Sequence, residues 1–160
     1  TMVREILEEL HPEKQSQIGL AAILSKGSIQ TAESLLANEE ISSARQELYS
    51  FLLRLPKSSP AQIMHWCEQW DKNRKMVKFL LELGQLWYHD VLLVNTARQW
   101  ELLLNQDYLA DLKMQKIAPE QALKILNQLH TACAQLEANA SPRLVLEIAL
   151  LRIQEASIAS

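Results

Sequence analysis

Hydrophobic residues recur every three or four positions along most of the chain, which is the spacing of one face of a helix. The longest such run covers residues 72–94, and its apolar face consists of Met76, Leu80, Leu83, Trp87, Val91 and Val94. No segment alternates cleanly with period two, and three glycines are too few to supply many tight hairpins. The pattern therefore predicts an all-α fold with the 72–94 helix at its centre. Gly84, in the middle of that helix, indicates a close crossing with another helix.

Prolines and capping residues mark the ends of the other predicted helices. Proline at the first helical position loses no hydrogen bond, and serine or asparagine just before it can cap the free N–H groups. On these signals we expect helices over 2–10, 13–25, 29–37, 40–55, 60–70, 72–94, 106–116 and 119–137, and a last one from 142. Asn105 is expected to cap the helix that follows it, and residues 95–99 are expected to form a loop. The helices before the polar joint at 38–40 are too short to close a core alone, so we predict a boundary there, with units 1–38 and 39–160.

The last predicted helix is unusually apolar. Leu144, Ile148 and Leu151 form one stripe, and Leu146 and Leu150 widen the apolar arc. A helix of this kind is expected to be surrounded by other helices or by another chain. A corner over 138–141 should precede it, with Ser141 as N-cap and Pro142 as the first helical residue. Glu147 lies inside the apolar arc, and we expect it to make a structural hydrogen bond or salt bridge.

Composition restricts the class of protein but does not define a function. The net charge of −3 argues neither for nor against nucleic acid. No apolar run approaches the roughly 18 to 20 residues needed to cross a bilayer, so no membrane contact is expected. The chain begins with an amphipathic helical pattern rather than a signal peptide. Cys67 and Cys133 lie far apart in helical patterns, which predicts reduced, buried thiols and a cytoplasmic protein.

No catalytic, metal or cofactor motif is recognisable. The chain lacks a phosphate-binding loop, a G-x-S-x-G segment and an H-E-x-x-H segment, and its four histidines do not form a ligand set. His89 and Asp90 could form an acid–base pair. Neighbours on a helix do not face each other, however, which favours Asp90 as a carboxylate bonded to a neighbouring helix or at a subunit contact. We therefore expect no cofactor and no catalytic residue.

Four cations crowd the predicted start of the long helix: Lys72, Arg74, Lys75 and Lys78. One interpretation is contact with DNA phosphates or an acidic partner. The other, which charge runs of this kind favour, is a solvated face balanced by nearby acidic residues. The four tryptophans stand at helical core spacings, which favours burial over stacking on bases.

The stretch from Leu136 to Ile153 resembles the C-terminal signature of the bacterial DNA polymerase III clamp-loader subunits, and within that family the delta-prime type most. The matching positions are Leu136, Asn139, Pro142, Leu144, Leu146, Glu147, Leu150, Leu151 and Ile153, with Ser141 where a second asparagine is common. Three further segments resemble the same family in the same order: Leu24–Ala32, Trp87–Leu93 and Leu102–Asp107.

This resemblance implies that 1–38 is the end of an AAA+ lid domain and 39–160 a collar domain, an orthogonal bundle that oligomerises. A nucleotide-binding module would precede Thr1, so the chain would be a non-catalytic fragment of a DNA replication complex that also contains an ATPase and a polymerase. Its partners would be the gamma/tau and delta subunits, and indirectly the sliding clamp and primed DNA. Gln30 and Thr31 stand where ATP-binding relatives carry a phosphate-sensing arginine, which favours delta-prime over the alternative, a gamma/tau collar.

The candidate residues for a subunit interface or a structural role are then Asp90, Asn139, Pro142, Glu147, Leu150 and Leu151. A helical DNA-binding module that uses the cations at 72–78 is the alternative from a different functional class, and a small enzyme that uses His89 and Asp90 is a third possibility.

Overall fold

The structure is a computed structural model that describes residues 2–97 and 99–158, and every regular element within those ranges is helical. The α-helices are α1 (Met2–Leu10), α2 (Gln15–Leu24), α3 (Ile29–Ala37), α4 (Glu39–Arg54), α5 (Pro60–Glu68), α6 (Arg74–Thr96), α7 (Leu109–Lys113), α8 (Pro119–Glu137) and α9 (Pro142–Ile158). Short 3₁₀ turns cover Pro12–Lys14, Leu55–Lys57, Trp100–Leu102 and Gln106–Tyr108. The predicted all-α class is confirmed.

Side-chain caps and prolines set the starts of several helices. Ser59 caps α5, because its Oγ accepts a hydrogen bond from the Gln62 N–H at 3.2 Å while Gln62 Oε1 accepts one from the Ser59 N–H at 2.8 Å. Asn38 ends α3 and caps α4, with its Oδ1 2.9 Å from the Glu40 nitrogen. Helices α5, α8 and α9 begin at Pro60, Pro119 and Pro142, as predicted.

The ends of α6 differ from the prediction. Asn73 accepts a hydrogen bond from the Met76 N–H at 3.1 Å, so α6 begins two residues later than expected. The helix then continues into the predicted loop at 95–99 as far as Thr96. The side chains there stabilise the extra turn: Thr96 Oγ1 donates to the Leu92 carbonyl at 2.7 Å, and Asn95 Nδ2 donates to the Gln115 carbonyl at 3.0 Å.

The described residues form two hydrophobic clusters. The smaller one lies within α1–α3 and contains Val3, Leu7, Ile18, Ala21, Ala32 and Leu36. The larger one draws on α4–α9, with Leu20 of α2 at its edge. In the larger cluster α6 packs against α4, α7, α8 and α9, which agrees with the predicted central position. The division of the chain at residue 38 stays a prediction.

Helix α9 buries only one side within this chain. Its buried residues are Val145, Leu146, Glu147, Ala149, Leu150 and Ile153. Leu144 is 53 % exposed and Ile148 is 38 % exposed, and Leu151 is half-buried. Among the described residues, α5, α6 and α8 therefore cover one side of α9 and leave the other side exposed. On α2, Ile23 is likewise 47 % exposed.

Candidate functional site

Five polar side chains from three parts of the chain meet in the larger hydrophobic cluster. Arg45 and Tyr49 come from α4, Asp90 comes from α6, and Asn105 and Asp107 lie in the segment between α6 and α7. We call these five residues the polar cluster. Tyr49, Asp90 and Asn105 have no exposed surface. Buried polar groups are costly unless they are hydrogen-bonded, so their partners decide what the cluster does.

Asp90 holds the segment that follows α6. Its Oδ1 accepts a hydrogen bond from the Leu104 N–H at 2.9 Å. Its Oδ2 accepts two more, from the Asn105 N–H and from Asn105 Nδ2, both at 2.8 Å. The Asn105 side chain therefore does not cap the next helix, and that prediction is wrong, because the amide is drawn inward to the carboxylate.

Arg45 approaches the same segment from α4. Its guanidinium binds Asp107 in a bidentate pair, with Nη1 2.6 Å from Oδ2 and Nη2 2.8 Å from Oδ1, and Nη2 also donates to Asn105 Oδ1 at 3.0 Å. The Tyr49 hydroxyl donates to the same Asn105 oxygen at 2.7 Å. The Asn105 amide thus has a carboxylate on its nitrogen side and a cation with a hydroxyl on its oxygen side, which fixes its orientation.

Two aromatic rings flank the guanidinium of the charged pair. The Arg45 guanidinium carbon lies 5.0 Å from the centre of the Tyr49 ring and 5.1 Å from that of Tyr108, within cation–π range. The Tyr49 ring also packs against Trp87 at 4.6 Å. These rings shield the guanidinium from water, while the Asp107 side chain stays 25 % exposed.

The pKa shifts of Arg45 and Tyr49 favour the same hydrogen bonds. Burial tends to lower the pKa of Arg45, but its hydrogen bond to Asp107 and the neighbouring charges outweigh burial, and the pKa is raised. Burial raises the pKa of Tyr49 far above its usual range, against the opposing effect of Arg45. Tyr49 therefore stays neutral at physiological pH and acts as a hydrogen-bond donor.

His89 stands at the rim of the cluster, with its Nδ1 3.6 Å from Asp90 Oδ1 and its side chain 53 % exposed. The interaction with Asp90 raises the pKa of His89, while partial burial opposes the rise. The Asp90 carboxylate is already occupied by three backbone and amide donors. The arrangement is therefore suited to holding residues 103–108 against α4 and α6, and it does not leave Asp90 available as a general base.

The predicted corner before α9 is shaped by Asn139. This residue has φ of 68° in the left-handed region, which asparagine tolerates better than most residues. The Ala140 N–H donates to the Gln135 carbonyl at 3.1 Å and the Asn139 N–H to the Leu136 carbonyl at 3.2 Å, a Schellman ending for α8. The Ser141 cap is weak, since its Oγ lies 3.5 Å from the Leu144 nitrogen.

Glu147 is buried on the face of α9 towards α5. Its Oε1 accepts a hydrogen bond from Arg143 Nε at 2.8 Å, and Arg143 Nη2 lies 3.5 Å from Glu68 Oε1 on α5. Burial raises the pKa of the nearby Cys67 thiol to about 12, with Glu147 adding to the rise, so Cys67 is not a reactive thiolate. Leu150 is also buried, whereas Leu151 is half-buried.

The four predicted cations separate into two pairs. Arg74 Nη1 donates to the Leu136 carbonyl at 2.6 Å, and Lys78 Nζ lies 3.7 Å from Glu137 Oε1. Both therefore contact the C-terminal end of α8, where the helix dipole favours positive charge. Lys72 and Lys75 are exposed.

Sequence reasoning missed Arg45 and Tyr49 altogether. The available signal was the position of Arg45 on α4, three and four residues before Leu48 and Tyr49 and thus on the same face of the helix. An arginine on a buried face needs an acidic partner, but spacing cannot identify Asp107, which is 62 positions away.

Within the described ranges, no group of three or more histidine, cysteine or acidic residues is arranged to hold a metal ion. None of the helices described is both long and apolar enough to cross a membrane. The chain matches no family model, no curated protein and no solved structure.

Proposed function

We propose that this chain is a collar-domain fragment, together with the end of an AAA+ lid, of a bacterial DNA polymerase III clamp-loader subunit, most like delta-prime. Its role is non-catalytic. It holds neighbouring gamma/tau and delta subunits in a ring, so that ATP binding elsewhere can open the sliding clamp on primed DNA. Such a protein works in the cytoplasm.

One observation supports this proposal above the others. The segments Trp87–Leu93 and Leu102–Asp107 resemble two separate motifs of the family, and they meet through the buried bonds between Asp90 and Asn105. If the two resemblances were unrelated chance matches, there would be no reason for Asp90 of one segment to pair with Asn105 of the other. The C-terminal stretch from Leu136 to Ile153, which also resembles the family, contributes the Asn139 corner and the start of α9 at Pro142.

The chemistry of the polar cluster favours a scaffold over an enzyme. Asp90, Asn105 and Asp107 have all their functional groups engaged by neighbours in the same chain. The enzyme alternative would require Asp90 to exchange protons with a substrate, which these bonds oppose. The DNA-binding alternative loses two of its four cations, because Arg74 and Lys78 contact the end of α8.

The proposal is tested with the full-length protein that contains this chain. Mixed with the gamma/tau and delta subunits of its source organism, it should co-elute with both in gel filtration, and this chain alone, in excess, should compete. Binding to neither subunit would contradict the proposal. ATP hydrolysis by the full-length protein would identify a gamma/tau collar instead.

The same preparation tests the DNA-binding alternative. The double variant Lys72→Glu, Lys75→Glu reverses the two exposed cations and leaves the α8 contacts intact. We expect it to assemble as the wild type does. Loss of a salt-sensitive affinity of this chain for primed DNA would favour the alternative.

A further inference from the structure

One side of α9 carries a regular apolar seam that the described chain leaves largely exposed. The seam consists of Ser141, Leu144, Ile148, Leu151 and Glu155, spaced three, four, three and four residues apart. Ser141, Leu144, Ile148 and Glu155 are exposed and Leu151 is half-buried. This is the spacing of positions a and d in a heptad, the pattern by which two helices pack side by side along their length. Leu146 and Leu150, on the opposite side, account for the packing of α9 within its own chain.

We propose that the seam is covered by α9 of a second copy of this chain, packed antiparallel across a twofold axis. The proposal does not rest on the clamp-loader assignment, which leaves open which chain lies against α9. A twofold contact uses the same patch on both copies, so the seam must be complementary to itself.

The residue order meets that requirement. With Ile148 placed on the axis against Ile148 of the second copy, Leu144 of one helix falls beside Leu151 of the other. Each apolar side chain of the seam thereby gains an apolar neighbour. Arg152, an exposed residue next to the seam, donates from its guanidinium to Gln128 Oε1 of α8 at 3.0 Å, and its aliphatic stem can cover Leu144 of the second copy.

Charge decides between the two possible directions. Glu155 lies in the second half of α9, towards its C-terminal end, where the helix dipole disfavours an anion. An antiparallel contact moves this carboxylate to the N-terminal end of the other α9, beside Ser141, whose capping bond is weak at 3.5 Å. A parallel contact would instead place Glu155 against Glu155.

The contact is small. Three apolar side chains per copy bury less than the roughly 1,200 Å² of total surface at which stable interfaces begin, so we expect a weak dimer that forms at high protein concentration. Sedimentation equilibrium from about 10 µM to 1 mM, a range chosen to cover weak association, should show monomer and dimer in a concentration-dependent balance.

Ile148→Asp is the first test, because it places a charge on the axis of the contact. We expect the dissociation constant to rise at least tenfold, with the far-ultraviolet circular dichroism unchanged. Leu144→Asp gives a second test at a more exposed position. The matched control is Leu123→Asp, a substitution of equal chemistry at a residue of α8 that is 55 % exposed and outside the seam. A chain that stays monomeric to 1 mM, or that responds equally to the control, would overturn the proposal.

Cysteine cross-linking tests the direction. In a Cys133→Ser background, an equal mixture of the Leu144→Cys and Leu151→Cys proteins should form a disulfide-linked heterodimer under mild oxidation. Leu144→Cys alone should remain monomeric, and Leu123→Cys measures random collision. Efficient cross-linking of Leu144→Cys with itself would indicate a parallel contact and would contradict the antiparallel arrangement.

Discussion

The Asp90 carboxylate accepts its three hydrogen bonds from just two consecutive residues, Leu104 and Asn105. Replacing Asp90 with Asn leaves one acceptor oxygen and puts an NH₂ group where an acceptor is needed. At least one buried N–H then loses its partner, at a cost of roughly 1–3 kcal/mol for each such group. We expect Asp90→Asn to lower the free energy of unfolding by about 2–4 kcal/mol in urea titrations.

The control for this substitution is Asp71→Asn, at an exposed carboxylate in the turn before α6, which should change the free energy of unfolding by less than about 0.5 kcal/mol. Hydrogen exchange should show where the damage lies, since the amides of Leu104 and Asn105 lose their acceptors. If Asp90→Asn keeps wild-type stability but removes an activity of the chain, Asp90 is catalytic and the structural interpretation is wrong.

His89 gives the cluster a small pH dependence. Because Asp90 raises its pKa above the ordinary 6.5, the folded state holds the proton more tightly than the unfolded chain. The resulting stabilisation is complete below 6.5 and is lost as pH rises through the folded-state pKa. The imidazole is about half exposed, so we expect only a few tenths of a kcal/mol.

The measurement is the difference in free energy of unfolding between the wild type and His89→Gln, from pH 5 to pH 9. It should be largest at the acidic end and should vanish towards the alkaline end. The same difference measured in an Asp90→Asn background should be flat. A difference that grows with pH would show that the sign of the His89 interaction is wrong.

Helices α6 and α8 cross at Gly84. A Cβ atom added there would lie 3.4 and 3.5 Å from the two terminal methyl carbons of Leu129, which is ordinary van der Waals contact. The crossing is close, as the sequence indicated, but it has room for one methyl group. Alanine favours a helix over glycine by about 1 kcal/mol, so we expect Gly84→Ala to leave the free energy of unfolding unchanged or to raise it by up to that amount.

Gly19 in α2 is the matched position, because a Cβ there would have nothing within 4 Å. Thermal or urea unfolding should show Gly19→Ala gaining at least as much stability as Gly84→Ala. Gly84→Leu should instead destabilise by roughly 1–3 kcal/mol, because the larger side chain overpacks the crossing. Equal tolerance of alanine and leucine would mean that α6 and α8 do not meet there.

Helix starts were predictable where a single residue decides them. Pro60, Pro119 and Pro142 place three helices to the residue, because proline cannot sit further inside and serine or alanine precedes it. The end of α6 was not predictable, since Asn95 and Thr96 are weak helix formers that are held by contacts to Gln115 and Leu92. Periodicity also could not tell which side of α9 faces inward, because the helix carries leucine on both sides.

The candidate site was predictable only in part, because a sequence shows which polar residues lie in apolar segments but does not show their distant partners. Asp90 stood out as a carboxylate in an apolar helix, and Glu147 as one in an apolar arc. The partner of Glu147 could be predicted from the sequence, since Arg143 is four residues away on the same face of the helix. The partners of Asp90 and Arg45 come from the segment after α6, and only the folded chain brings that segment back.

At the scale of the whole molecule, the two hydrophobic clusters differ in the number of residues they bury. Among the residues that the structure describes, the cluster within α1–α3 has six buried members, whereas the larger one has thirty. A small cluster opens at lower free energy than a large one, because less apolar surface is exposed when it separates. We therefore expect native-state hydrogen exchange to reveal a sub-global opening of α1–α3 below the free energy of global unfolding, with a step in protection close to Asn38.

Leu7→Ala separates this behaviour from uniform unfolding. Leu7 is fully buried in the small cluster, so the substitution should cost about 2–4 kcal/mol there. If α1–α3 open as a unit, exchange should accelerate in those helices and stay nearly unchanged for the slowest amides of α6 and α8. Leu129→Ala, in the larger cluster, should instead accelerate the slowest amides. A chain that responds to both substitutions with the same uniform loss of protection folds as one cooperative unit, and the predicted boundary at residue 38 would then have no energetic meaning.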